Sequence, residues 1–226
     1  MEYTDTFGQT AKLEIPAGVK NIAVSMSGGA DSSLLCYLLA KQIKEQNLDI
    51  KIFPISAIFA VRPWSYDTAI RVVKTIEQLT GFTNWGHHWK FRVSLEDCKL
   101  DSAKEKRFGD VMSLLFSNQI IDHLYSGKTK NPSQLVCDTF VDKRRQHDRD
   151  APTEADIYKA DVETVPWAMV DKRFVLDMYK QHNLLNTLLP LTRSCEGDVV
   201  QTENFTKICN TCWWCEERAW ALKQIA

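Results

Sequence analysis

The stretch that most narrows the fold is NIAVSMSGGADSSLLCYLLAKQ, residues 21–42. An apolar run from Asn21 to Met26 reads as a buried strand. It breaks into Ser27-Gly28-Gly29 and resumes at once as a helix, with Leu34, Leu35, Leu38, Leu39 and Ile43 on one face. A chain with only nine glycines sets two side by side at this junction. Glycines let the backbone reach conformations closed to other residues and approach a ligand closely. Successive N–H groups then point outward, and the new helix adds unpaired donors and the positive end of its dipole. Together these suit phosphate. Ser27, Ser32 and Ser33 add hydroxyls, whereas Asp31 would repel phosphates unless it caps the helix or meets a Mg2+ ion. The alternative is a tight corner, with Asp31 as N-cap and the glycines kept for packing.

The alternation continues downstream. IKIFPISAIFAV (50–61) is a continuous apolar run, as expected of a strand covered on both faces, with Pro54 marking a bulge or an early edge position. SYDTAIRVVKTIEQLTG (65–81) places Ala69, Val72, Val73, Ile76 and Leu79 on one helical face and ends in Gly81, a natural C-cap. A third strand falls within 82–93, a helix in 101–119, and a short strand in 120–127 that stops at Gly127. Tyr3, Phe7, Leu13 and Ile15 suggest a hairpin at the start, and a helix within 165–185 holds Asp171 and Lys172 in its first turn. Three rounds of strand and helix predict an α/β fold, a doubly wound, Rossmann-like parallel sheet. Its ligands should sit at the carboxyl ends of the strands, near the switch point. Residues 137–163 are dense in charge of both signs and read as a solvated insertion. The sharper reading is a lid using Lys143, Arg144 or Arg145. The expected division is an α/β domain over 1–190 and a small lobe over 191–226.

Composition excludes several classes. A formal net charge of −1 gives no global basic field, so nucleic acid is not an expected partner. The start lacks a basic-then-apolar leader and no apolar run reaches membrane-spanning length, so the expectation is a cytoplasmic protein with no membrane contact. Seven cysteines there point to metal or catalysis rather than disulfides. Cys36, Cys98 and Cys137 are scattered, while Cys195, Cys209, Cys212 and Cys215 crowd the last 32 residues. Two residues between cysteines let a turn aim both thiolates at one ion, and four thiolates complete the tetrahedral shell of a structural zinc. The same ligands suit an iron–sulfur cluster; zinc is the expectation. Trp213, Trp214 and Trp220 should pack this lobe onto the main domain, since a metal knuckle has little core of its own. His87-His88 reads as a strand-end pair in aromatic packing and Cys137 as a plain buried or loop thiol.

The glycine turn is neither a Walker A loop nor Gly-x-Gly-x-x-Gly. It matches the SGGxDS signature of the PP-loop ATP pyrophosphatases. With the cysteine cluster beside it, the sequence resembles the 7-cyano-7-deazaguanine synthases, PP-loop enzymes that end in a four-cysteine zinc site. The likeness runs through VPWAMVDKRFVLDMY, with Lys172 in the family's lysine position, through LTRSCEG, and through Cys-x-x-Cys-x-x-Cys-x-x-Arg ending at Arg218. YSGKTKNP (125–132) sits where the family has a substrate-contacting loop. The resemblance implies ATP, Mg2+ and Zn2+ as cofactors. It places the phosphates at Ser25, Ser27, Gly28, Gly29, Asp31, Ser32 and Ser33, with Gly127 and Lys128 alongside, and gives Asp31, Ser32 and Lys172 catalytic roles. Lys172 reads equally well as a solvated helix lysine.

The implied reaction is attack on the α-phosphate, release of pyrophosphate, and an adenylated 7-carboxy-7-deazaguanine that takes ammonia to give the amide and then the nitrile. The partners would be a deazapurine acid and ammonia, with a homodimer left open. Two segments depart from the pattern. FAVRPWSYD stands where the family shows Tyr-Gly-Gln-x-His, and GKTKNPSQLVCDTFVDKRRQHDRD replaces an Asp-rich, Tyr-Pro-Asp-Cys-like segment. This points to a divergent member, stopping at the amide or acting on another acid. The rival readings are a PP-loop enzyme that modifies tRNA, with Lys128, Lys130, Lys143, Arg144 and Arg145 as a phosphate patch, and a non-catalytic or defence-associated relative.

Overall fold

The N-terminal alternation closes as an antiparallel hairpin, β1 (Glu2–Thr4) against β2 (Thr10–Lys12). The computed structural model describes residues 1–59, 62–94, 101–143, 153–159 and 162–226. In β3 (Asn21–Ser25), Ile22 and Val24 enter one core and Ala23 the other, all three fully buried. β4 (Lys51–Phe59) pairs parallel with β3 on one side and with β5 (Trp89–Val93) on the other. β6 (His123–Ser126) pairs parallel with β3 on its far side. Beyond it lie two short strands, β7 (Tyr158–Lys159) and β8 (Glu163–Thr164); β8 is parallel to β6 and β7 antiparallel to β8. The order is β5-β4-β3-β6-β8-β7. The chain steps outward from β3 to β4 to β5, then crosses back to β6. The switch point therefore lies between β3 and β6, where doubly wound sheets bind ligands beyond their strand ends.

Helices α1 (Ala30–Glu45), α2 (Ser65–Thr80), α3 (Asp101–Ser117), the short α4 (Gln134–Cys137), α5 (Lys172–Gln181) and α6 (Trp213–Ile225) follow in chain order. Residues of α1, α2, α5 and α6 share one core with Ile22, Val24 and Ile52, so the end of the chain is built into the main core through Ala221 and Ile225. On the opposite face, Met112 and Leu115 of α3 meet Ala23, Ile55 and Leu124. α2 ends as expected at Gly81 in a left-handed C-cap, but Leu79 stays 41% exposed, one turn past the face that Ile76 buries.

Pro54 sits in the body of β4, where a missing N–H would normally break a ladder. Ile52 bonds Asn84 and Gly86 on the β5 side, and the ladder resumes only where Ile55 meets Trp89. Alternate residues of a parallel strand face the same neighbour, so Pro54 faces the gap at 87–88, where β5 asks no donor of it.

The charged segment is less solvated than its composition suggests. Cys137 and Phe140 are buried against Trp213, whose ring meets Phe140 edge-on at 5.0 Å. Asp142 accepts the N–H of Trp213, and Glu216 accepts the N–H groups of Val141 and Asp142. The two segments thus satisfy each other's open donors at the start of α6. Lys143 is bound to the carbonyls of Cys137 and Asp138, while Arg144, Arg145, His147 and Cys98 lie outside the described residues.

Candidate functional site

The glycine turn joins β3 to α1 at the switch point. Gly28 adopts φ +76°, and a Cβ there would stand 2.9 Å from a Thr68 methyl and 3.1 Å from the Ser65 carbonyl oxygen. Both the handedness and the room require glycine. Gly127, at the end of β6, is needed for a different reason. A Cβ there would lie 2.8 Å from the Ser32 nitrogen, so β6 packs its backbone directly on the first turn of α1. Ser25 sits one layer below, opposite Ile55 and Ser126, and Lys128 is exposed beside Gly127.

Three backbone donors converge at the turn. The Ser27 N–H points to Ser32 Oγ at 3.3 Å, Gly29 N–H to Ser27 Oγ at 3.2 Å, and Ala30 N–H to Ser194 Oγ at 3.4 Å. These are long bonds to neutral hydroxyls, and an anion is a stronger acceptor for the same donors. Ser33 Oγ donates to Gly29 O at 2.7 Å and fixes the first turn.

Asp31 does not cap the helix. Gly29 holds the N-cap position without a side-chain bond, and both Asp31 oxygens accept from Lys172 Nζ, at 2.6 and 2.5 Å. Lys172 is not solvated either; it is 2% exposed. Its neighbour Asp171 caps α5 by accepting the Arg173 N–H, and Gln9 of the hairpin turn bonds Asp171 in both directions, fixing the helix that delivers Lys172. Glu217 of α6, 1% exposed, lies 3.5 Å from Lys172 Nζ. The Tyr179 hydroxyl donates to Ala30 O from the same helix as Lys172, and burial pushes its pKa far above the ordinary value.

The segment before the first clustered cysteine also reaches this turn. Arg193 N–H donates to Gly28 O at 2.8 Å, and its guanidinium lies 4.7 Å over Trp64 while binding the carbonyls of Phe205 and Lys207. Arg218 bonds Thr192 and the Leu189 carbonyl. Glu196 forms an ion pair with Arg62, whose guanidinium stacks on Phe59. Ser194 and Glu217 are not among the site residues the sequence singles out; Ser194 lies within the LTRSCEG match, while only closeness to Cys215 could have flagged Glu217.

The four sulfurs of Cys195, Cys209, Cys212 and Cys215 all lie within 4.8 Å of one another, with Cys195–Cys209 at 3.5 Å and Cys209–Cys215 at 3.9 Å. Four thiolates about 2.3 Å from one tetrahedral ion stand about 3.8 Å apart, so this spacing fits a single metal ion. Taken by themselves, four adjacent thiols cannot all ionise. Hydrogen bonds from Cys212 and Cys215 hold Cys195 well below the usual thiol range, and Cys212 is pushed up to about 12 because it donates to Cys195. A divalent cation removes that conflict by stabilising every thiolate. Trp213 and Trp220 join this lobe to Phe140 and to the main core.

Elsewhere, His88 bonds Ser56 Oγ at 2.8 Å and meets Tyr66 edge-on, as expected of packing. Cys137 is fully buried, with its thiol 3.4 Å from the Pro132 carbonyl. Among the described residues, no helix is long and apolar enough to cross a membrane.

No family model and no curated protein matches the chain. Among solved structures it is similar to the U34-tRNA thiolase NcsA from Methanococcus maripaludis with its 4Fe–4S cluster. That likeness has 14% identity and a TM-score of 0.45, covering 91% of this chain and 72% of the other. What this chain does has to be read from its own residues.

Proposed function

We propose that the chain is an ATP-using enzyme of the PP-loop kind, which binds ATP at the glycine turn, breaks the α–β phosphate bond and adenylates an acceptor. The observation that carries this reading is the run of Ser27, Gly29 and Ala30 N–H groups at the start of α1, each on a long bond to a serine hydroxyl, with the buried Lys172 ammonium paired to Asp31 of the same first turn. Ser27, Gly28, Gly29, Ser32 and Ser33 would hold the departing pyrophosphate, and Lys172 would offset its developing charge. Asp31 is the carboxylate able to face the Mg2+ that accompanies ATP and shares that charge. For the acceptor, the sequence resemblance favours a 7-carboxy-7-deazaguanine-like acid, taking ammonia to the amide or nitrile. The cysteine site would hold Zn2+, a reading supported by its single-ion spacing.

A second reading keeps the ATP chemistry and takes a tRNA base as acceptor, which is what the matched thiolase acts on by name. One incubation separates them: ATP, Mg2+, ammonium and 7-carboxy-7-deazaguanine, followed by mass spectrometry. AMP, pyrophosphate and an amide or nitrile support the first reading. Turnover only with tRNA, with salt-sensitive tRNA binding and an iron-derived visible absorbance, supports the second. ADP with phosphate would sink both.

A further inference from the structure

Glu217 has no role in the chemistry above, yet it is among the most deeply buried charged side chains in the described structure. A carboxylate taken out of water costs several kcal/mol unless it is paired, so its location asks for an explanation. It sits on α6, two residues after Cys215, and faces Lys172 across the α5–α6 contact. Lys172 therefore lies between two carboxylates of different character. Asp31, with a side chain 20% exposed, belongs to the phosphate turn and takes the shorter bonds, at 2.6 and 2.5 Å. Glu217 is sealed inside the fold at 3.5 Å. Arg218, the next residue, is bound to Thr192 and Leu189 and braces the cysteine segment.

With Asp31 alone, Lys172 would form a closed pair that occupies both oxygens of the one acidic side chain in the turn. A second carboxylate changes this. The ammonium keeps a fixed anionic partner when Asp31 gives up its bonds, so it is held in place. We propose that Glu217 is a positioning residue for the phosphate site, holding the Lys172 ammonium at the first turn of α1 from the cysteine lobe. The proposal rests on the ATP reading above. It also gives the cysteine site a consequence for chemistry, because the same short stretch of α6 carries a sulfur ligand and the lysine's anchor.

The test is a double-mutant cycle on Glu217→Gln and Lys172→Met, read as affinity for Mg·ATP by calorimetry and as KM and kcat for pyrophosphate release. Glutamine keeps the volume and removes the charge. Glu217→Gln should weaken Mg·ATP binding about tenfold with metal content per chain unchanged, and adding it to Lys172→Met should cost nothing more. Independent, additive effects overturn the proposal, because they mean Glu217 does not act through Lys172. Unchanged affinity in Glu217→Gln overturns it as well. If a variant folds poorly, the thermal shift that Mg·ATP causes in that variant, relative to its own ligand-free state, gives the same comparison. Wild-type protein that binds no Mg·ATP refutes the ATP reading itself, a result distinct from either of the others.

Discussion

Gly28 concentrates the demands of the glycine turn in one residue. Its φ of +76° costs an L-residue about 1–2 kcal/mol, and a Cβ would press on Thr68 at 2.9 Å. Gly28→Ala should therefore lower stability by about 1–3 kcal/mol and abolish nucleotide binding; denaturant midpoints and calorimetry check the two effects separately. His88 gives a pH signature. Burial first, then the charges of His87 and Lys90, lowers its pKa to about 4. The unfolded chain, with an ordinary histidine near 6.5, binds the proton more readily. Stability from this residue is thus complete above about pH 6.5 and is lost progressively as pH falls toward 4. His88→Gln should flatten the dependence of the urea midpoint between about pH 7 and about pH 4.5; an unchanged slope would refute the assignment.

At the scale of elements, the joint between α4, its following turn and α6 matters most. Phe140 is 5% exposed and packs edge-on against Trp213 at the very start of α6. Phe140→Ala should cost about 3–5 kcal/mol and weaken metal retention, measurable by thermal unfolding and metal analysis. Cys212→Ser should lose the metal and much of the soluble protein, because serine keeps the N-cap position of α6 but removes one of the four clustered thiolates. A fully stable, metal-free variant would show that the cluster is ordinary packing. Elements also mark where reading a sequence reaches its limit. The strands β3 and β4, the helices α1 and α2 and the cysteine spacing were legible, because each is a local pattern of apolar period or ligand interval. The two-residue strands β7 and β8 were not, because neither is long enough to show a period. The burial of Phe140 was hidden by the charges around it, and for Cys137 the choice between a buried and a loop thiol stayed open.

Over the whole molecule, the glycine turn and the cysteine cluster form one assembly. Ser194 reaches Ala30 across 164 positions of sequence, and Lys172 reaches Asp31 across 141. On the proposed reading the two sites serve separable functions. Asp31→Ala should abolish pyrophosphate release while leaving metal content unchanged, because Lys172 keeps Glu217 as its partner. Joint loss of metal and activity would mean that Asp31 holds the fold together rather than serving the reaction.

The amino-acid sequence by itself determined the α/β order, the glycine turn and the four sulfur ligands. Each follows from neighbours along the chain: an apolar period, a backbone angle open only to glycine, or a spacing that lets one turn aim two thiolates. Only the tertiary structure decided which partners Asp31 and Lys172 have. Asp31 read as an N-cap or as a Mg2+ contact in the phosphate site, and Lys172 as a solvated lysine or a phosphate contact, but folding pairs the two and adds Glu217 from α6. A charge's partner depends on which helices pack, and packing is settled by the core that Ile22, Val24, Phe174 and Ala221 share, not by the sequence around the charge.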